Sequence, residues 1–179
     1  MKLFRRASAP LAFLFLIGAA IPGVTSALEV PIGKPKTLHG LRIAAVYSNA
    51  VAMDEYWGGP PPEEADIHLE ADIHAIKGNR YGFRAGEWIS YLTINYTLEL
   101  LGTDTKLTGQ LWQMMAKDGP HYGLNLKMPG PGRYKLTYRI GSPKDWGLAR
   151  HTDPESGVDP WWEPFEVEWT FQYRGADKR

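Results

Sequence analysis

The stretch Ala65–Ala75, ADIHLEADIHA, decides how this chain is read. Alternation assigns Ile67, Leu69, Ala71 and Ile73 to one face of a β-strand, and Asp66, His68, Glu70, Asp72 and His74 to the other. A face made of carboxylates and imidazoles carries the side chains that hold transition-metal ions. The same pattern also describes a half-buried strand with a solvated acidic face, and the run by itself is compatible with both.

Outward from this run, period-two patterns recur. Leu41–Val46 is an earlier strand, separated from Asp66–Ala75 by the loop Gly58-Gly59-Pro60-Pro61-Pro62. Downstream, Trp88–Leu100 places Trp88, Leu92, Ile94, Tyr96, Leu98 and Leu100 on one face. Thr108–Ala116, Tyr122–Met128, Tyr134–Ile140 and Phe165–Tyr173 follow, with turn signals at Gly78-Asn79, Asp118-Gly119-Pro120 and Pro129-Gly130-Pro131-Gly132. Sustained helical periodicity is absent. About seven short strands in about 150 residues predict an all-β domain, an immunoglobulin-like antiparallel β-sandwich. One connection, Gly141–Glu163, exceeds a simple turn and holds Trp146, His151, Trp161 and Trp162. Loops longer than about 12–15 residues are usually functional or disordered, and three tryptophans predict an ordered one, packed over the domain or over another subunit.

Lys2, Arg5 and Arg6 precede the apolar stretch Leu11–Ala20, and Thr25-Ser26-Ala27 supplies small residues for cleavage. Residues 1–27 are therefore read as a secretory signal peptide and residues 28–179 as a single domain beginning at Leu28. The apolar stretch is short of the about 20 residues of a membrane span, so export without membrane insertion after cleavage is expected. Without the three leader cations, 17 Lys and Arg face 20 Asp and Glu, a net charge of −3. That balance offers nothing to nucleic acid or anionic lipid. The chain has no cysteine, which removes disulfides and thiolate metal sites. It carries seven tryptophans, enough large apolar area to fill a core without cross-links.

Three segments can supply metal ligands. His68 and Glu70 lie about 7 Å apart on one strand face, whereas His74 is about 20 Å along the strand from His68, so any third ligand comes from elsewhere. If Lys117–Pro120 forms a hairpin turn, Met114 and His121 become neighbours on its two arms. A thioether beside an imidazole suits copper and is a poor pair for calcium or magnesium. Met114 as core filler and His121 as a backbone-bonded turn residue are the plain alternatives. Enzyme signatures are lacking: there is no Gly-rich phosphate loop and no Gly-x-Ser-x-Gly elbow. A blue-copper centre would need a cysteine.

The runs ADIHLEADIHA, GEWISYLTINYTL, MAKDGPHYGLNLKMPGPGRY and the block from Arg150-His151-Thr152-Asp153 to Trp169, in this order over nearly all of the mature chain, resemble the periplasmic iron-transport accessory proteins (Tpd-type, FetP-like). That resemblance implies a β-sandwich homodimer binding copper, as Cu2+, at the subunit interface beside an inner-membrane iron permease, with iron as the transported ion. Carried over residue by residue, it implies His68, Glu70, Met114 and His121 as ligands, with His151 reaching the site from the partner subunit. It adds Glu29 and Met53 as secondary metal positions, and Asp66, on the strand face of His68, is read from the alternation as a further one. Trp112, and Leu148-Ala149 before His151, depart from a more methionine- and histidine-rich pattern in some members. His39 and His74 fall outside the ligand set. The implied function is periplasmic copper binding in high-affinity iron uptake, without enzymatic turnover beyond redox handling of iron. A copper carrier or buffer indifferent to iron is the alternative.

Overall fold

The computed structural model describes residues 29–176; the expected leader lies outside them. Among the described residues nine strands form: β1 (Val30–Pro31), β2 (Lys36–Leu38), β3 (Leu41–Ser48), β4 (Ile67–Ala75), β5 (Ile94–Leu100), β6 (Lys106–Ala116), β7 (Gly119–Leu126), β8 (Gly132–Ile140) and β9 (Phe165–Tyr173). All pairings are antiparallel, in the order β1-β3-β4-β7-β6-β5-β8-β9, with β2 also on β3. The all-β antiparallel class expected from the sequence is observed; the immunoglobulin-like refinement is not part of what the ladder establishes. Among the described residues no helix is long and apolar enough to cross a membrane.

The strand β6 belongs to both halves of this curled sheet. Its first part, Lys106–Leu111, pairs with β5, and its second, Trp112–Ala116, pairs with β7. The two halves close on a shared core. From one side come Leu69, Ala71 and Ile73 of β4 with Tyr122, Leu124 and Leu126 of β7. From the other come Ile94, Tyr96 and Leu98 of β5 with Leu136 and Tyr138 of β8. The buried Tyr138 hydroxyl donates across the core to the Glu70 carbonyl at 3.0 Å, so the far half is pinned beneath the polar face of β4.

The run expected as one strand over Trp88–Leu100 is divided. Trp88 makes only an isolated bridge to His74, Tyr91 adopts φ of 63°, and regular pairing starts at Ile94. The cause is a side chain: the Tyr122 hydroxyl accepts from the Leu92 amide at 2.8 Å and donates to the Ile89 carbonyl at 2.9 Å. Those backbone groups are thereby satisfied without a neighbouring strand.

The long connection begins with a short 3-10 turn, Pro143–Trp146, and returns over its own domain. Trp162 is buried edge-on against Tyr81 at 4.9 Å between ring centres, and Trp161 stacks on Tyr81 at 6.0 Å. Arg80 pairs with Asp159 at 3.1 Å. The tryptophan pair thus covers the segment around Tyr81, which accounts for the order of the loop within one chain.

Candidate metal centre

The register of β3, β4, β7 and β6 builds the polar face. Ser48 lies opposite His68, His68 opposite Asn125, Glu70 opposite Gly123, Gly123 opposite Trp112, and His121 opposite Met114. Side chains of directly opposed residues project to the same side of a sheet. Gly123 therefore sits at the centre of the face, flanked by His121 and Asn125 on its own strand and by Glu70 and Trp112 across. The absent side chain at position 123 makes room for the His68 ring. A Cβ there would collide with His68 Nε2 and lie 3.3 Å from His121 Cδ2.

Above this face opens a cleft of about 1010 Å³ walled by Glu29, Met53, Trp57, His68, Glu70, Met114, Asp118 and His121, among others. The centre of the polar face is deeply buried, His68 being 1% exposed, Glu70 7% and His121 9%, while Asp66, Asp72 and His74 are half-buried. The two imidazoles stand edge to face with ring centres 5.7 Å apart. Of the two, His68 is held from behind by Nδ1 to Asn125 Oδ1 at 2.9 Å. The Nε2 atom of each is buried without a partner. Buried polar atoms are rarely left unpaired, and two unpartnered imidazole nitrogens on the wall of one cleft fit a metal ion.

Burial sets the protonation. It pushes His68 down to about 4, against the hydrogen bond with Asn125, and it lowers His121 as well. Burial pushes Glu70 up to about 7, with Glu29, Asp72 and Asp118 adding repulsion, while the 3.0 Å hydrogen bond from Ser48 Oγ opposes the rise. Glu29 and Asp72 are raised chiefly by burial too. At neutral pH the histidines offer lone pairs, and Glu29, Asp72 and Asp118 crowd Glu70 with like charge. This is a setting in which a cation is favoured.

The structure brings together His68, Glu70, Met114 and His121, with Glu29 and Met53 on the same wall. The hairpin turn proves shorter than expected: Ala116 pairs with Gly119, leaving Lys117-Asp118 at the tip and Met114 directly opposite His121. Asp66 is not brought to the cleft. Its oxygens receive Lys127 Nζ and the Met128 amide, each at 2.9 Å, at the end of β4. His151 is also absent from the cleft of its own chain, exposed on the long loop with Nδ1 2.7 Å from Ser156 Oγ. Among the described residues no three His, Asp or Glu side chains converge as a metal site. The chain alone therefore supplies two imidazoles and a thioether. His39 lies tilted against Phe165 with ring centres 4.4 Å apart, and His74 lies at a shallower recess beside Asp72, both outside the pair of unpartnered nitrogens. Sequence reasoning missed Ser48, Gly123 and Asn125. The signal for the last two was present: Gly123 and Asn125 alternate with the apolar Tyr122, Leu124 and Leu126, on the face of His121.

Fold and site define an all-β protein with one sheet face shaped to present unpaired imidazole nitrogens beside a thioether. The chain belongs to the family of Fe2+ transport proteins, whose model matches residues 26–175. FetP of uropathogenic Escherichia coli strain F11 is 51% identical, with a TM-score of 0.80 over 84% of this chain and 99% of its own. Copper-reconstituted P19 of Campylobacter jejuni is 47% identical, with a TM-score of 0.80 over 84% of this chain and 99% of its own. A UPF0423 protein of Brucella abortus is 41% identical over 183 residues, covering 99% of this chain and 97% of that protein.

Proposed function

We propose that this chain is a periplasmic copper-binding protein of an iron-uptake system. The observation that carries the reading is the pair of buried, unpartnered Nε2 atoms of His68 and His121 over Gly123, with Met114 alongside. Membership of an iron-transport family and likeness to copper-bound P19 support it. His68 and His121 would hold copper with Met114 as the soft ligand and Glu70 supplying charge. Imidazole and thioether together suit both Cu(II) and Cu(I). The family resemblance implies a third imidazole, the partner's His151, in a homodimer, beside the two that the described residues of one chain bring to the cleft. Iron is then delivered, or adjusted in oxidation state, for a membrane permease; no turnover of an organic substrate is involved.

Cu(II) titration of metal-free mature protein, followed by electron paramagnetic resonance, tests the site. Stoichiometric binding with nitrogen hyperfine structure is expected in the wild type, and its loss in His121→Ala. Mixing His121→Ala with His151→Ala should restore part of the signal, because a mixed dimer holds one complete site. Failure of the mixture, with each variant folded, would place the third ligand within one chain. A deletion strain is expected to grow slowly under iron limitation. Normal growth there, with sensitivity to copper instead, would favour the carrier reading.

A further inference from the structure

We propose that Asn125 is a positioning residue that decides which nitrogen of His68 faces the cleft and ties that choice to the loop from Val51 to Pro60. Asn125 is fully buried on β7, directly opposite His68. Its Nδ2 donates to the Val51 carbonyl at 2.8 Å and to the Pro60 carbonyl at 3.2 Å. Its Oδ1 receives the Val51 amide at 3.2 Å and stands 2.9 Å from His68 Nδ1. Every hydrogen-bonding position of the amide is thereby used. Two carbonyls on the nitrogen side and an amide donor on the oxygen side permit one orientation of the group, so only an acceptor is turned toward His68. The proton of the neutral ring must then sit on Nδ1, which leaves the lone pair on the unpartnered Nε2, over Gly123. In water a neutral histidine ring favours the opposite arrangement, with the proton on Nε2.

The same amide clamps a loop that walls the cleft. Met53 and Trp57 lie between Val51 and Pro60 and line the cavity. The loop rests on β7 so closely that a Cβ at Gly59 would lie 2.9 Å from the Asn125 carbonyl oxygen and 2.9 Å from Leu124 Cδ1. Loop seating and the lone pair of His68 thus depend on one side chain. Partners that orient metal-ligating histidines typically contribute 10–100-fold in affinity. The tautomer stands on the hydrogen-bond geometry alone, while its effect on copper rests on the function proposed above.

The test is a long-range 1H–15N spectrum of the metal-free protein, with copper affinity measured by chelator competition. Wild type should show His68 protonated on Nδ1. Asn125→Ala should move the proton toward Nε2 and weaken copper binding about 10–100-fold. Asn125→Asp keeps an acceptor for Nδ1 but loses the donors to Val51 and Pro60, so the tautomer should persist while loop signals broaden. A wild-type ring protonated on Nε2 overturns the proposal, as does an Asn125→Ala variant with the wild-type tautomer or undiminished copper affinity. Should Asn125→Ala fail to fold, the wild-type and Asn125→Asp spectra still decide it. If the histidine variants show that copper binds elsewhere, the proposed function falls and the metal-free spectrum still judges the role of Asn125.

Discussion

Gly123→Ala is expected to weaken copper binding at least about 100-fold while leaving the strands in place, an effect as large as deleting a ligand. The added methyl would overlap His68 Nε2 and approach His68 Cε1 to 2.9 Å. Neither neighbour can yield cheaply: His68 is buried and held at Nδ1 by Asn125, and His121 is buried beside it. Backbone strain plays no part, since Gly123 is not among the residues with positive φ. Inserting a methyl into a filled space costs about 1–3 kcal/mol in stability, so a modest loss should appear in urea denaturation of the metal-free variant. The discriminating measurement is chelator competition on folded protein. Wild-type affinity in this variant would show that Nε2 of His68 does not need the room left at position 123.

Glu70→Gln should make the metal-free protein more stable, not less, and the gain should depend on pH. The ordinary carboxyl titrates near 4.5 and Glu70 in the folded protein near about 7. Between those values the folded state keeps a proton that the unfolded chain has released, so unfolding becomes easier as pH rises. The full cost, about 3 kcal/mol, is reached above pH 7. Glutamine carries no such cost and still offers an oxygen to Ser48. The variant is therefore expected to exceed wild type by up to about 3 kcal/mol at pH 8, with the advantage fading toward pH 4.5. His68 slopes the other way: its folded value of about 4 lies below the ordinary 6.5, so stability is lost as pH falls from 6.5 to 4. In wild type the two slopes oppose each other between pH 4.5 and 6.5 and flatten the profile. Removing Glu70 should expose the histidine slope as a steep acid loss. Urea titrations across pH 4–8 in the presence of chelator check this, and parallel profiles for the two proteins would contradict it. A carboxylate that destabilises the empty fold is understandable where its charge is matched by a bound cation.

Much of this arrangement could be read before any coordinates. The alternation in ADIHLEADIHA assigned both faces of β4 correctly, and the spacing around Lys117-Asp118 placed Met114 next to His121. Strands with long periodic runs, such as β8 and β9, matched their expected cores. What escaped was set by register between strands distant in sequence. Alternation put Asn125 on the face of His121, but its pairing opposite His68, like that of Ser48, is encoded by no local pattern. Gly123 looked like an ordinary strand glycine; only its place among four polar or aromatic neighbours makes it a cradle. The break at Tyr91 arose from a hydroxyl about 30 residues downstream, that of Tyr122. Strands β1 and β2 are two and three residues long, too short for a periodic signal. Asp66 followed the alternation of its neighbours but sits at the strand's end, where Lys127 and Met128 engage it.

The passage of β6 from one half of the sheet to the other constrains how the gene can change in length. Because strand side chains alternate, losing or gaining one codon between Leu111 and Met114 would exchange the outlooks of Met114 and Met115. A gained residue would put a side chain without a thioether opposite His121, whereas a lost one would bring Met115 there in place of Met114. Two residues beyond, the tip Lys117-Asp118 lies outside the paired positions and has no such penalty. Tolerance of insertions should therefore change abruptly along a few residues, making chain length at β6 as heritable a determinant of the site as its histidines.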